Sequence, residues 1–198
     1  MQIVILIIGG IMSKVLLYSG GMDSFIISKL LKPDIKLYFD YGTNQNKLEK
    51  KHLPKDVIIK KIPIGEYTEN DGLNTIPLRN LIFSALAVNY GDEIIIGGLA
   101  SDFHFDKTPE FATKCSELFN SVLNNEKSHK NIQIKVPFYK YTKTDLVEMY
   151  LTNGGTLEEL NSKSWSCHKP NKNKPCLKCV ACLAREKAIN EAVKRLKK

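Results

Sequence analysis

The sequence has little of what marks membrane-spanning and secreted proteins. Its leading apolar run, residues 3–8, is much shorter than the roughly 20 residues that cross a bilayer, and no basic segment precedes it. Internal repeats and low-complexity tracts are also lacking. The five cysteines are an odd number with close C-x2-C steps, which argues against a disulfide framework and favours a reducing compartment. We therefore expect a cytoplasmic protein, with residues 1–11 as a leader of unclear role before Met12.

The bulk composition is that of an ordinary globular protein. Of its 198 residues, 43% are hydrophobic and 25% are charged, which is sufficient for one stable core without disulfides. The 29 basic residues outnumber the 21 acidic ones, so the formal net charge is +8 and anionic partners are favoured. Nucleotides, nucleic acids and acidic small molecules all meet this condition, and charge alone does not choose among them.

Short apolar runs alternate with helical patterns along the chain. Strands are predicted at residues 14–18, 35–39, 57–62, 93–97 and 132–136. Helices are predicted at residues 22–31, 78–89, 109–123, 142–151 and 180–196. This alternation predicts βαβ units, and hence an α/β fold with a doubly wound, mostly parallel five-stranded sheet. We place one α/β domain at residues 12–160 and a C-terminal segment with the last helix at residues 161–198.

The string SGGMDS follows the first predicted strand and opens the first predicted helix. Gly20 and Gly21 allow a tight turn whose amides, together with the helix dipole, favour a phosphate group. The hydroxyls of Ser19 and Ser24 can donate to phosphate oxygens, while Asp23 caps the helix or holds Mg²⁺. No Lys-Ser/Thr pair follows the glycines, which excludes a Walker A loop. An ordinary strand-to-helix turn is the alternative.

Four of the five cysteines form one cassette near the C-terminus, with the spacing C-x8-C-x2-C-x2-C. They are Cys167, Cys176, Cys179 and Cys182. Four thiolates complete a tetrahedral structural Zn²⁺ site and leave no open position for catalysis. An iron–sulfur cluster is the other possible occupant. The fifth cysteine, Cys115, is expected to be a small core residue.

These motifs resemble those of known proteins. SGGMDS is similar to the PP-loop of the ATP pyrophosphatases, which cleave ATP between its α- and β-phosphates. SWSCHKPNKNKPCLKCVACLAR (164–185) resembles the tail of the 7-cyano-7-deazaguanine synthases, the QueC family. Further segments are similar to that family: FDYGTNQ (39–45), IPLRN (76–80), DKTPEF (106–111) and VPFYKYTKTDLV (136–147). The resemblance implies an adenine nucleotide alpha hydrolase-like fold with ATP at the carboxyl ends of the strands.

The resemblance also implies an activity. The family converts 7-carboxy-7-deazaguanine and ammonia into 7-cyano-7-deazaguanine (preQ0), by way of an adenylated carboxylate, at the expense of ATP with Mg²⁺. The implied ATP contacts are Tyr18, Ser19, Gly20, Gly21, Met22, Asp23 and Ser24. The implied contacts to substrate or phosphate are Arg79, Asn80, Asp102, Asp106 and Lys143. The four cassette cysteines hold a structural Zn²⁺, no general base is identified, and a homodimer is expected. Nucleic acid is expected only as the eventual destination of the product.

The sequence departs from the family pattern near the expected substrate contacts. Thr43 stands where the family usually has Gln, Glu49 is one position out of register, and Lys107 and Thr108 replace a Cys-Arg pair. These changes leave the exact deazapurine acid open. A PP-loop enzyme that transfers sulfur to tRNA is the main alternative, since it would explain the positive charge, but its only spare cysteine is Cys115. A zinc-ribbon nucleic-acid-binding module is a second alternative.

Overall fold

The computed structural model describes residues 12–64, 76–126, 130–172 and 174–198, so the leader at 1–11 lies outside the described residues. The described part contains one parallel sheet with the strand order β3-β2-β1-β4-β5. The strands are β1 (Lys14–Leu17), β2 (Ile35–Asp40), β3 (Val57–Lys61), β4 (Glu93–Ile95) and β5 (Gln133–Lys135). The predicted doubly wound, five-stranded α/β fold is thereby confirmed.

The strand order places β1 at the centre of the sheet. The chain first builds outward through β2 to β3, then returns to the other side of β1 for β4 and β5. Val15 is fully buried and lies opposite Ile35 of β2 and Ile94 of β4. Continuous apolar runs of this kind are typical of parallel strands that are covered on both faces. β1 and β4 are parallel, but the connections that leave them run to opposite sides of the sheet. A crevice therefore opens between these two strands at their carboxyl ends.

Seven α-helices lie in the described residues. They are α1 (Met22–Leu31), α2 (Asn44–Glu49), α3 (Arg79–Ala87), α4 (Pro109–Asn125), α5 (Lys143–Thr152), α6 (Leu157–Lys163) and α7 (Val180–Leu196). Two 3₁₀ turns, at Lys50–His52 and Phe105–Lys107, connect them to the strands. Threonine caps set several helix starts, and at α5 the Thr142 side chain accepts from the Asp145 amide while Asp145 bonds back.

Two apolar clusters cover the two faces of the sheet. One combines strand residues with α1, α5 and α7, to which α7 contributes Ala188 and Ala192. The other combines strand residues with α3 and α4 and contains Cys115, which is buried as expected for a core residue. Because α7 packs on α5 and enters the first cluster, the C-terminal helix is part of the main core. The division of the chain at residue 160 stays a prediction.

Within the described ranges, none of the helices has the length and apolar character that crossing a membrane requires.

Candidate active site and metal centre

A cavity of about 230 Å³ opens at the carboxyl ends of β1, β2 and β4. Its described lining comes from the β1–α1 loop, the end of β2 with α2, the start of α3, and the segment between β4 and α4. The charged side chains in this lining are Asp23, Glu49, Arg79 and Lys107, and its apolar walls include Phe39, Phe83 and Ile96. Open α/β sheets bind their ligands at this position, because the connections diverge there.

The β1–α1 loop forms the floor of this site. Gly20 has a φ of +75°, which a residue with a side chain rarely adopts, and an added Cβ would lie 2.9 Å from Leu53 Cδ2. The Ser24 hydroxyl accepts from the Ser19 amide at 3.2 Å and lies 3.1 Å from the Ser19 hydroxyl. Gly21 precedes α1 and brings no capping side chain. The first-turn amides of α1 therefore keep donors available for an anion.

The two carboxylate oxygens of Asp23 have different surroundings. Oδ2 accepts a hydrogen bond from Lys143, in the first turn of α5. This ion pair explains why a lysine stands at a helix start, where the dipole disfavours it. Oδ1 is buried and has no hydrogen-bond partner among the described residues. Because an unpaired buried carboxylate oxygen is costly, Asp23 fits a Mg²⁺ ion bound together with a nucleotide.

Asn46 organises the side of the cavity that β2 and α2 provide. Its side-chain amide donates to the Tyr38 hydroxyl at 2.5 Å, and its Oδ1 accepts from the Tyr41 amide at 3.0 Å. The Tyr38 hydroxyl donates in turn to Glu49 Oε2 at 2.8 Å. Burial raises the pKa of Tyr38, and the Glu49 charge raises it further, so this hydroxyl stays protonated. The network fixes polar atoms in a wall that is otherwise apolar.

Arg79 and Asn80 enter the cavity from the start of α3. Burial raises the pKa of Tyr41, and the charge of the neighbouring Arg79 partly opposes that rise. Asn80 is buried, and its side-chain amide donates to the Asp106 carbonyl at 3.3 Å. This bond ties α3 to the segment that follows β4.

Lys107 closes the side of the cavity next to β4. Its Nζ lies 2.8 Å from Asp102 Oδ1, and Asp102 Oδ2 accepts from the Leu99 amide at 2.9 Å. A Cβ on Gly98 would lie 2.4 Å from the Lys107 carbonyl, so only glycine permits this close backbone approach. Asp102 thus holds the lysine beside the end of β4, and Lys107 lines a cavity that is also lined by Arg79.

The predicted site residues fall into two groups in the structure. Those that line the cavity are Tyr18, Ser19, Asp23, Ser24, Arg79 and Asn80, while Gly20, Gly21 and Met22 complete the loop beneath it. Three others are not among the described lining residues but bond to residues that are. Asp102 and Lys143 each pair with a charged lining residue, and Asp106 accepts from Asn80 through its carbonyl.

Sequence reasoning did not name several lining residues as contacts. Glu49 and Lys107 stood out only as departures from the family pattern. Tyr41 belongs to the family-like segment FDYGTNQ but was not singled out as a contact, and Tyr38 gave no signal, because an aromatic residue in a predicted strand is typical of a core. Their place in the site depends on β2 lying next to β1, which the local sequence does not state.

The second centre is the cluster of four cysteines. The sulfur atoms of Cys167, Cys176, Cys179 and Cys182 all lie within 4.8 Å of one another, and Cys176 and Cys182 are 4.0 Å apart. A tetrahedral ion with Zn–S bonds of about 2.3 Å needs sulfur–sulfur distances of about 3.8 Å. The four side chains therefore fit one metal ion with little rearrangement.

The backbone around the cluster favours thiolates. The Cys176 amide donates to the Cys167 sulfur, and the Cys179 amide to the Cys176 sulfur, both at 3.3 Å. An amide hydrogen bond from His168 contributes most to lowering the pKa of Cys179, to about 6. Burial raises the pKa of Cys182 to about 12, so this sulfur needs a cation beside it to ionise. Amide donors to the sulfurs, together with a buried sulfur that needs a nearby cation, are typical of a site that binds a metal ion.

Comparison with known proteins agrees with the geometry. The family model of the queuosine biosynthesis protein QueC matches residues 47–193. A 7-cyano-7-deazaguanine synthase from Prochlorococcus marinus (strain AS9601) is 31% identical, over 90% of this chain and 94% of its own length. Those of Prochlorococcus marinus subsp. pastoris and Sulfurihydrogenibium sp. (strain YO3AOP1) are 30% and 28% identical, over 90% and 89% of this chain.

The matched region contains the start of α3, Lys107 and all four cysteines, and the curated relatives cover most of the remaining chain. A stand-alone zinc-ribbon module would match only around the cysteine segment. The similarity extends over about 90% of the chain, so this alternative is not favoured. The chain belongs to the QueC family.

Proposed function

We propose that this chain is an ATP-dependent ligase that converts 7-carboxy-7-deazaguanine and ammonia into 7-cyano-7-deazaguanine. One observation carries the proposal: in a chain of the QueC family, a single cavity joins the PP-loop to two cations, Arg79 and Lys107. The names of the curated relatives support the substrate class.

The chemistry requires two activations of the same carbon. A carboxylate oxygen attacks the α-phosphorus of ATP and pyrophosphate leaves. Ammonia then adds to the carbonyl carbon, AMP departs with the activated oxygen, and one proton is lost to give the amide. The amide oxygen attacks a second ATP, AMP departs with that oxygen, and the nitrogen loses its two remaining protons. One acid and one ammonia thus give one nitrile, two AMP and two pyrophosphates.

The PP-loop is placed to hold the phosphates of each ATP in turn. The glycines leave room beside the first-turn amides of α1, and the paired hydroxyls of Ser19 and Ser24 add donors at 3.1 Å from each other. These groups are fixed before the reaction begins, so they stabilise charge on the leaving pyrophosphate without reorganisation. When bound, Mg²⁺ would neutralise polyphosphate charge, and Asp23 is the residue suited to hold it.

The two cations and the apolar walls suit the acid. Arg79 and Lys107 can bring the substrate carboxylate and the α-phosphate, both anions, into one cavity despite their repulsion. Phe39, Phe83 and Ile96 limit the access of water, which would otherwise hydrolyse the adenylate. Glu49, whose Oε2 accepts from the Tyr38 hydroxyl, lines the same cavity, and we assign it to contact the polar edge of the deazapurine.

The metal at the four cysteines has a structural role in this proposal. We assign it as Zn²⁺, because four sulfur ligands in a tetrahedral cluster are typical of that ion and leave it no open position. The tRNA sulfur-transfer alternative is less well supported. Outside the cluster the sequence has only Cys115, and this thiol is buried on α4 and is not among the described residues of the cavity lining.

The test is incubation of the zinc-loaded protein with 7-carboxy-7-deazaguanine, ATP, Mg²⁺ and ammonium, followed by mass spectrometry of the products. We expect the nitrile and two AMP per nitrile formed. The same pyrrolopyrimidine without its carboxyl group should release no pyrophosphate. Product that stops at the amide with one AMP would contradict the second activation. Absence of pyrophosphate release with the acid, together with thiolation of tRNA, would instead support the sulfur-transfer enzyme.

The homodimer and the cytoplasmic location are further parts of this proposal. Sedimentation equilibrium of the purified chain tests the first, with a mass of twice 22.4 kDa expected.

A further inference from the structure

One tryptophan lies between the two centres. Trp165 is the single tryptophan of the sequence and is only 9% exposed. Its backbone amide donates to the carbonyl of Gly20, in the PP-loop, at 2.9 Å. Its indole Nε1 donates to the carbonyl of the metal ligand Cys167 at 2.8 Å. The same residue therefore holds the phosphate loop with one group and the cysteine cluster with another.

A histidine covers the outer face of this tryptophan. The ring of His52 stacks on Trp165, with the ring centroids 4.1 Å apart and the planes within 2° of parallel. The next residue, Leu53, lies so close to Gly20 that an added Cβ would meet it at 2.9 Å. The 3₁₀ turn that ends at His52 thus packs against both Trp165 and the phosphate loop.

The segment that carries Trp165 is also anchored from behind. Arg185 on α7 donates to the Ser164 hydroxyl at 2.8 Å and to the Leu160 carbonyl at 2.8 Å. It lies one turn after Cys182, so the start of α7 holds both the metal and the residue before Trp165. Without a metal ion, Cys167 would be less firmly held. Trp165, which bonds the Cys167 carbonyl, would then hold the Gly20 carbonyl less rigidly.

We infer that metal binding at the four cysteines and nucleotide binding at the PP-loop are coupled through Trp165, with His52 as a positioning residue. The inference rests on the proposed binding of ATP at this loop. Gly20 adopts its left-handed φ while its carbonyl is held by Trp165, and this conformation aims the following amides at the phosphate site. Each ligand thus stabilises the arrangement that the other requires, and the coupling is reciprocal by thermodynamic necessity.

Ordinary packing would have different consequences. If the stack and the two bonds only stabilise the fold, removing the His52 ring lowers the melting temperature but leaves nucleotide affinity and metal release unchanged. Coupling moves both quantities, and at equilibrium zinc changes the affinity for the nucleotide by the same factor as the nucleotide changes the affinity for zinc. A nucleotide-dependent rate of metal release therefore separates the two explanations in the unaltered protein.

The first measurement uses the wild-type protein loaded with Zn²⁺. Transfer of zinc to a chromophoric chelator is followed with and without Mg²⁺ and α,β-methylene-ATP, whose α–β bridge resists cleavage. We expect the nucleotide to slow zinc release about fivefold or more, which is the usual lower end of the coupling between two equilibrium affinities when the rate of zinc association is unchanged. The emission of Trp165 should change as the nucleotide binds, which supplies the dissociation constant.

The second measurement compares variants at and beside the stack. His52→Ala should weaken binding of the nucleotide by about threefold to tenfold, the range that an aromatic pair contributes, and should speed zinc release. His52→Phe keeps a ring on Trp165 and should restore both values. Lys51→Ala, in the same 3₁₀ turn but exposed, is the control and should match the wild type.

The outcomes are distinct. If the nucleotide binds but leaves zinc release unchanged, and His52→Ala binds it as tightly as the wild type, the coupling is wrong while the proposed ATP site stands. If the wild-type protein does not bind the nucleotide at all, both the coupling and the proposed function are wrong.

Discussion

Replacement of Lys107 by Met is the most direct test of how the cavity handles two anions. The side chain is unbranched in both residues, so the change removes the positive charge and keeps most of the volume. A hydrogen bond to a charged group contributes about 1.5 to 3 kcal/mol. Since about 1.4 kcal/mol corresponds to a factor of ten, we expect kcat/KM for the acid to fall about 10-fold to 150-fold.

The stability of this variant should change far less. The Lys107–Asp102 pair is about a quarter exposed, at 24% and 23% of the two side chains, and such pairs contribute about 1 kcal/mol or less. Asp102 also keeps its bond from the Leu99 amide. Urea unfolding should therefore show a loss of about 1 kcal/mol beside the large kinetic effect.

Two further variants make the test decisive. Lys107→Arg keeps the charge and should retain much of the activity. Asp102→Asn leaves the lysine in place but frees it from its partner, so its effect should be smaller than that of Lys107→Met. Initial rates of pyrophosphate release, measured over a range of acid concentrations, provide the comparison. A kcat/KM for Lys107→Met within threefold of the wild type would refute the role of this cation.

Three other predictions follow from single contacts. Ser24→Ala removes a hydroxyl that accepts from the Ser19 amide and donates to the Gly21 carbonyl. We expect kcat/KM for ATP to fall about tenfold, with unchanged zinc content. Unaltered KM and kcat in steady-state assays would contradict this role. Cys176→Ser should lower bound zinc well below one per chain, as measured by atomic emission, and full retention of zinc would contradict the four-ligand site. Burial is the largest single influence on the Asp40 carboxyl and raises its pKa. The hydrogen bonds from Lys50 and the Gly42 amide, together with the charges of Lys50 and Lys61, outweigh burial in sum and hold that pKa below its ordinary value. This pair should therefore stabilise the fold above about pH 4 and cease to do so as the pH falls through the lowered pKa. Unfolding at several pH values should show a weaker acid dependence for Asp40→Asn, and equal curves would count against the pair.

The sheet could be predicted because its information is local. Each strand is a short apolar run, and the connecting segments contain proline, glycine or polar residues. The alternation of strands and helices can therefore be predicted from the order of residues along the chain. Helices α2 and α6 were missed for the opposite reason. Both are short and mostly polar, and their threonine caps, Thr43 and Thr156, give them a start that an apolar pattern does not reveal.

The same distinction divides the candidate site. The PP-loop is a contiguous string after a strand, and its serines and Asp23 lie where the string predicted. Lys107 and Glu49 reach the cavity only because β1 lies between β2 and β4, and strand order is a property of the whole fold. For Asp102 and Lys143, contact with a ligand stays a prediction, and in the structure each forms an ion pair with a charged residue of the lining.

The bond between Trp165 and Gly20 also has a consequence for biosynthesis. The ribosome makes the phosphate loop soon after it begins the described part of the chain, but the tryptophan that fastens this loop and the helix that anchors the tryptophan emerge only after all five strands. A nascent chain that stalls before α7 contains Trp165 but lacks Arg185, which anchors the residue before it, and Cys182, the fourth sulfur ligand. With Zn²⁺ as the proposed occupant of the cluster, we predict that zinc starvation leaves full-length chains whose C-terminal segment is not held in place and which proteases degrade faster than the zinc-loaded protein.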